Sequence, residues 1–403
     1  MSASKATAQS RGVGRDEPPP SSNGGASYRV LVGGGGTAGH LYPALSVVHA
    51  LAERAKHHAR PAPEVHFAHG PSRIDREVLA HAGNSLRGST RIAAAPLRGV
   101  GPHRAAWGVV RLAGALGQSW RLLGSFRPHV VLVTGGYVSA PVLLAARLRG
   151  IPSVAFLPDI VPWFAIRAMA PFATRVALGF AASMAHWNPA HAVVTGYPVR
   201  PEFLVADRER GRAAFGIAKD RPTVLATGGS SGARSLNLAL MDTLEPLLHH
   251  ADLIHVCGDL DEARLRDYRQ TLPAPLQKRY HLYRYLHKGM ADAMAASDLV
   301  ICRAGASAMA ELPAIGRPAI LVPGTFAGGH QAENAAVLAA ADAAVVVADD
   351  EIAELHRGVL LKTVLDLLGD RVRLSRMATC AQRLARPDAA ANVVDVLEVI
   401  RRK

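Results

Sequence analysis

Cysteine is scarce in this chain, and one long stretch of it has no acid. Cys257, Cys302 and Cys380 are the three cysteines in 403 residues. Their wide spacing, with no Cys-x-x-Cys, excludes a disulfide framework and a cysteine-based structural zinc site and points to a reducing compartment. Aromatics amount to 5%, and no recognisable nucleic-acid module accompanies them, which ranks nucleic acid low as a partner. No segment reads as a membrane span. Val176 to Val199 lacks Asp, Glu, Lys and Arg but is broken by His186, Asn188, Pro189 and His191. Pro128 to Ala146 carries Thr134-Gly135-Gly136 in its middle, which reads as strand, tight loop and helix start. Residues 1–27 are rich in Ser, Gly and Pro and have no apolar run, so a disordered tail and no signal peptide are expected.

What is present is a globular composition, 49% hydrophobic, over a length that allows two α/β domains with full cores. The net charge is +14, and Val78 to Pro158 holds nine arginines and no acid. Within it, the 97–128 segment interleaves Arg98, Arg104, Arg111, Arg121 and Arg127 with leucines, valines, Trp107 and Trp120. Such a surface is attracted to an anionic bilayer. A half-buried helix with a solvated arginine face explains the same pattern, and both readings stay open.

Two glycine-rich openings of one kind lie nearly half a chain apart. The first reads YRVLVGGGGTAGHLYPALSVVHAL from Tyr28, the second PTVLATGGSSGARSLNLALMDTL from Pro222. Each is a β-branched run, a glycine loop and a helix-length apolar periodicity. A strand feeding a helix through glycines aims backbone N–H groups and a helix N-terminus at one point, which favours a phosphate. Two such units predict two Rossmann-like halves facing across a cleft. Gly34 to Gly39 satisfies GxGxxG, but the expected second strand, Glu64 to Gly70, ends without the carboxylate that a dinucleotide's ribose needs. His40, in the first helical turn beside the loop, is placed either as a base or as a polar cap.

The segment GGTAGHLYPAL, Gly35 to Leu45, resembles the GGTGGHxxPAL signature of the MurG family. In the family's order follow GGYVSAP (Gly135 to Pro141), TGYPVR (Thr195 to Arg200), GGSSGARSLN (Gly228 to Asn237), DLVICRAGASAMAEL (Asp298 to Leu312), and GRPAILVP with HQAEN (Gly316 to Asn334). The resemblance spans about Tyr28 to Val347. It implies an α/β GT-B fold, with parallel sheets of two Rossmann-like domains facing a central cleft. The implied activity is inverting transfer of N-acetylglucosamine from UDP-N-acetylglucosamine to the C4 hydroxyl of the muramyl sugar of lipid I. It needs no cofactor and no metal. The implied place is the inner face of the bacterial cell membrane, held there peripherally. The expected divisions are 28–196 for the N-terminal acceptor and membrane-binding domain, 197–203 for the linker, 204–375 for the UDP-sugar domain, and 376–403 for a helical segment packing back on the first domain.

The resemblance also places residues. Thr37, Ala38 and Gly39 line the acceptor diphosphate, and His40 takes the hydroxyl proton. Ser230, with Ser231 beside it, offers hydroxyl and amides to the donor diphosphate, as does Arg200 from the linker. Glu311 takes the ribose hydroxyls, and Leu286 and His287 fall at the uracil. Ala306 and Ser307 belong to the phosphate side. Gln331 and Asn334, three apart at a helix start, face one sugar. Three departures stand out. Ala38 replaces a glycine. Ala308 replaces a threonine. Phe156-Leu157-Pro158-Asp159 replaces the family's His-Glu-Gln-Asn, leaving Asp159 as a second candidate for the base or for orienting His40. That replacement keeps alive a related enzyme acting on another lipid. A UDP-sugar 2-epimerase is disfavoured by the acid-free stretch, and a non-catalytic UDP-sugar-binding membrane adaptor by the joint presence of His40, Arg200, Glu311 and Gln331. Asp259-Leu260-Asp261 mimics a metal-binding DxD but opens a helix, where carboxylates meet the dipole.

Overall fold

The protein is described by a computed structural model covering residues 27–94, 102–162, 164–229, 232–286, 289–325, 330–352 and 358–401 of the 403, with backbone alone for 81, 84, 102–110, 164 and 165. Seven parallel strands form the first sheet: β1 (Arg29–Gly33), β2 (Glu64–His69), β3 (Gly88–Arg91), β4 (Val130–Val133), β5 (Ser153–Leu157), β6 (Arg175–Leu178) and β7 (Ala192–Val194). Their order is β3-β2-β1-β4-β5-β6-β7. Six more form the second: β8 (Thr223–Thr227), β9 (Asp252–Val256), β10 (Tyr280–Tyr283), β11 (Leu299–Cys302), β12 (Ala319–Leu321) and β13 (Ala344–Val346), ordered β10-β9-β8-β11-β12-β13. Runs such as VVLV in β4 and LVIC in β11 are buried at every position, as strands covered by helices on both faces must be. In both sheets the first strand lies beside the point where the order reverses. The crevice beyond the strand ends there is the usual ligand position in such folds.

The Ala389–Ile400 helix packs on the first domain although it follows the second in sequence. Val393, Val394 and Leu397 join the core beneath the Ala38–His57 helix, Arg54 pairs with Asp395 at 2.5 Å, and Asn392 donates to the Thr195 carbonyl at 3.0 Å.

His255 of β9 anchors a buried polar chain in the second domain. Its Nδ1 lies 2.8 Å from the Tyr280 hydroxyl and its Nε2 3.0 Å from Asn237 Oδ1. The Asn237 amide nitrogen donates to the Cys257 carbonyl and the Asp261 carboxylate. Its oxygen must therefore accept, and His255 donates from Nε2. Burial pulls the His255 pKa down from 6.5 to about 3. The unfolded chain takes up this proton first. The contribution is thus complete above pH 6.5 and drains away as the pH falls toward 3, by up to about 1.4 kcal/mol per pH unit. Urea midpoints measured from neutral pH to about pH 5 should fall more steeply for the wild type than for His255→Gln; parallel curves would contradict this.

Candidate active site

The loop after β1 is built where three stretches of backbone meet without room for side chains. A Cβ at Gly34 would strike the Thr134 hydroxyl, which donates to the His40 carbonyl at 2.7 Å. A Cβ at Gly136 (φ +80°) would strike the Gly35 carbonyl oxygen, and one at Gly135 (φ +118°) would strike the His40 ring, 2.7 Å from Nε2. Glycine alone accommodates both the contact and the backbone angle at these positions.

His40 lies in the first turn of the Ala38–His57 helix. Its Nδ1 is 3.1 Å from the Gly35 carbonyl and 3.1 Å from the Thr37 hydroxyl. A carbonyl can only accept, so Nδ1 carries the proton and Nε2 keeps its lone pair. Burial lowers the His40 pKa, against the opposing pull of the Gly35 hydrogen bond and of the Asp159 and Asp75 charges. The imidazole is therefore neutral around pH 7, the form a general base requires.

The linker and the second domain meet the first turns of this helix at Gly39 and Tyr42. Tyr197 is buried, donates to the Gly39 carbonyl at 3.1 Å and is hydrogen-bonded by Ser307. Burial raises its pKa well above the usual value, so it stays a donor. The Arg200 guanidinium lies 4.3 Å from the Tyr42 ring centre and 4.6 Å from that of Phe203, a stacking arrangement suited to arginine. It faces Glu311 at 3.6 Å and Glu202 at 3.2 Å, and its Nε–H is buried without a protein partner. Burial raises the Glu311 pKa while Arg200 opposes the rise. Tyr285, beside Leu286, shares a hydrogen bond with Tyr42 of the first domain.

Most of the described candidates thus converge. Tyr197 joins Gly39, next to Thr37, Ala38 and His40, to Ser307 of the Ala306–Ile315 helix, and Arg200 joins Tyr42 to Glu311 of that same helix. Gln331 and Asn334 part company. Gln331 accepts from the Gly324 amide at 2.9 Å. Asn334 is fully buried and ties the domains together: its amide donates to Asp159 Oδ1 at 3.0 Å and to the Ala304 carbonyl at 3.1 Å, and its oxygen accepts from the Ile160 amide at 3.3 Å. Asp159 therefore meets Asn334 directly and reaches His40 through its charge. Ser230, Ser231 and His287 lie outside the described residues, as do Arg98 and the side chains of Arg104 and Trp107. Asp261 does not cap its helix with its side chain, which is spent on Asn237, and Asp259 is exposed and pairs with Arg284 at 3.2 Å. Sequence reasoning missed Asp75, Tyr42 and Tyr197. An acid in the first turn of a helix is ordinary, and nothing local marks Asp75 as lying under the β1 loop.

Residues 30–178 match the glycosyltransferase family 28 N-terminal domain and residues 223–393 its C-terminal domain. The chain belongs to glycosyltransferase family 28. A relative from Roseiflexus sp. (strain RS-1) is 38% identical, with 92% of this chain and 95% of that one covered. Another, from Moorella thermoacetica, is also 38% identical over 92% and 98%. Both are named UDP-N-acetylglucosamine–N-acetylmuramyl-(pentapeptide) pyrophosphoryl-undecaprenol N-acetylglucosamine transferase. Among solved structures, MurG from Acinetobacter baumannii superposes with a TM-score of 0.67 at 25% identity over 93% of this chain and 99% of that one. A UDP-GlcNAc 2-epimerase from Neisseria meningitidis reaches 0.67 at 15% identity, covering 92% of this chain and all of that one. This second likeness speaks to the fold alone.

The family 28 loop around Gly135 gives a direct test. Gly135→Ala should displace the His40 ring and lower kcat at least about tenfold, with UDP binding near wild type. Wild-type turnover in this variant would contradict the packing described.

Proposed function

We propose that the protein transfers N-acetylglucosamine from UDP-N-acetylglucosamine to the C4 hydroxyl of the muramyl sugar of lipid I, with inversion, giving lipid II for peptidoglycan synthesis. The observation carrying this reading is the His40 ring, whose Nδ1 is committed to the Gly35 carbonyl and whose Nε2 keeps its lone pair at the first turn of the Ala38–His57 helix. His40 Nε2 takes the C4 hydroxyl proton as that oxygen bonds to the anomeric carbon. The bond from that carbon to the diphosphate breaks on the opposite face, through an oxocarbenium-like transition state. Arg200 and the amides at the second glycine loop hold the charge that develops on departing UDP. Glu311 serves the ribose, Leu286 and His287 the uracil, and Gln331 the sugar, while Asn334 is held by Asp159 and the Ala304 carbonyl. Ala306 and Ser307, with Ser230 and Ser231, serve the phosphates, and Thr37, Ala38 and Gly39 the acceptor diphosphate.

A second reading, the same chemistry on a different lipid-linked acceptor, is favoured by one observation. Where the family has His-Glu-Gln-Asn, this chain places Asp159, bonded across the cleft to Asn334.

The protein is read as peripheral on the cytoplasmic face of the membrane. No helix among the described residues is long and apolar enough to cross a membrane. Arg111 and Arg121 are exposed on the Pro102–Phe126 helix, Trp120 is 41% exposed beneath Arg149 at 4.0 Å, and neighbouring Leu148 is 60% exposed. Charge and apolar side chains together suit an anionic bilayer. Co-sedimentation with phosphatidylglycerol vesicles should fall clearly in a Trp120→Ala, Arg121→Glu variant; equal binding would contradict the assignment.

The assay is transfer of labelled N-acetylglucosamine to a soluble lipid I analogue. His40→Ala should lose roughly 10²- to 10⁴-fold in kcat. Asp159→Asn should keep turnover, with the acid limb of kcat/KM moved to lower pH because a negative charge near His40 is gone. Turnover surviving in His40→Ala and abolished in Asp159→Asn would reassign the base. No transfer by wild type despite UDP binding would move the search to other acceptors.

A further inference from the structure

The peptide joining Gly35 to Gly36 has both of its polar groups taken by side chains. Its carbonyl accepts from His40 Nδ1 at 3.1 Å, and its N–H donates to Asp75 Oδ1 at 2.7 Å. Asp75 stands in the first turn of the Arg73–Ala82 helix, where the Ser72 hydroxyl accepts from its amide at 3.1 Å. It is completely buried, and its Oδ2 has no hydrogen-bond partner. That oxygen is wedged under the loop, 2.7 Å from where a Cβ on Gly35 would sit and 2.9 Å from one on Gly70. Leaving a buried carboxylate oxygen unpaired is unfavourable, and a carboxylate kept in such a place calls for a role.

We propose that Asp75 is a positioning residue that acts on His40 through the Gly35–Gly36 peptide, fixing the ring's tautomer and strengthening its basic nitrogen. A carboxylate accepting from one end of a peptide polarises the group, so the carbonyl at the other end becomes a better acceptor. The better acceptor holds the proton on Nδ1 and favours the imidazolium that forms when Nε2 takes up a second proton. The role resembles that of a carboxylate bonded directly to a catalytic histidine, with one peptide interposed. Asp159, on the loop after β5, is the other carboxylate whose charge reaches the ring. It carries no hydrogen bond along this path. As a contribution to catalysis, the proposal rests on the reading of His40 as the base.

The test is nitrogen NMR of the full chain with ¹⁵N-histidine and ¹⁵N-glycine, the His40 signals being identified by their loss in His40→Gln. The wild type should show the neutral Nδ1–H tautomer, and the Gly36 amide should titrate with the His40 midpoint. Asp75→Asn should lower that midpoint and move the acid limb of kcat/KM to lower pH. It should also lower kcat by about ten- to a hundredfold, the loss seen when a metal-bound histidine loses its outer partner, with KM for the donor within about twofold. A folded Asp75→Asn protein with unchanged His40 tautomer and midpoint would overturn the proposal. If that variant does not fold, a wild-type Gly36 amide indifferent to His40 titration would overturn it equally. His40→Gln with full turnover would remove the base assignment and leave the coupling to be judged by the spectra alone.

Discussion

The hydrogen bond from His40 Nδ1 to the Gly35 carbonyl decides which ring nitrogen keeps a lone pair, and much of the rest of the architecture can be traced to it. For the bond to form, the loop after β1 must turn under the first helical residues, and the turn after β4 must press against both. Gly35, Gly135 and Gly136 each stand where a side chain would collide with His40, Asp75 or the loop backbone. The parallel sheet supplies the coincidence. β1 and β4 are neighbours in register, so their following turns emerge side by side at one edge. A helix start, a histidine and a buried carboxylate then meet within one peptide of each other.

The electrostatics of the cleft follow from burial with incomplete pairing. Arg200 is wedged between two rings, with Glu311 before it and a buried Nε–H unpartnered. A desolvated guanidinium in that setting attracts an anion more strongly than an exposed one would. Burial raises the pKa values of Tyr197 and Glu311, the second against the opposing pull of Arg200, so Tyr197 stays a hydrogen-bond donor. Asn334 and Asp159 bridge the two domains. Any ligand that uses Asn334 must exchange that contact, and this ties the donor side of the cleft to the acceptor side.

The two-domain architecture was legible because glycine loops and buried strands are local. A bare-backbone turn leaves a run of glycines, and a strand covered on both faces leaves an unbroken apolar run. His40, Arg200 and Glu311 were legible because each sits inside a motif whose neighbours constrain it. Asp75 was not, because its partner Gly36 lies 39 positions earlier and the acid itself looks like any first-turn carboxylate. The Asn334–Asp159 bond was hidden for the same reason, spanning 175 positions. Asp261 does stand at the start of its helix, as the sequence suggests, but its carboxylate is bonded to Asn237 across the fold, which no local signal shows. Contacts between elements that fold together from distant sequence leave no mark in the sequence near either partner.

We propose a division of labour between the two similar loops: the one after β1 serves proton transfer from the acceptor, and the one after β8 holds the donor. A crystal structure with UDP-N-acetylglucosamine bound tests it most directly. The ribose hydroxyls should lie on Glu311, the diphosphate between Arg200 and the loop after β8, and no donor phosphate within hydrogen-bond reach of the Gly34 to Gly36 amides. A diphosphate seated on the loop after β1, beside His40, would contradict it.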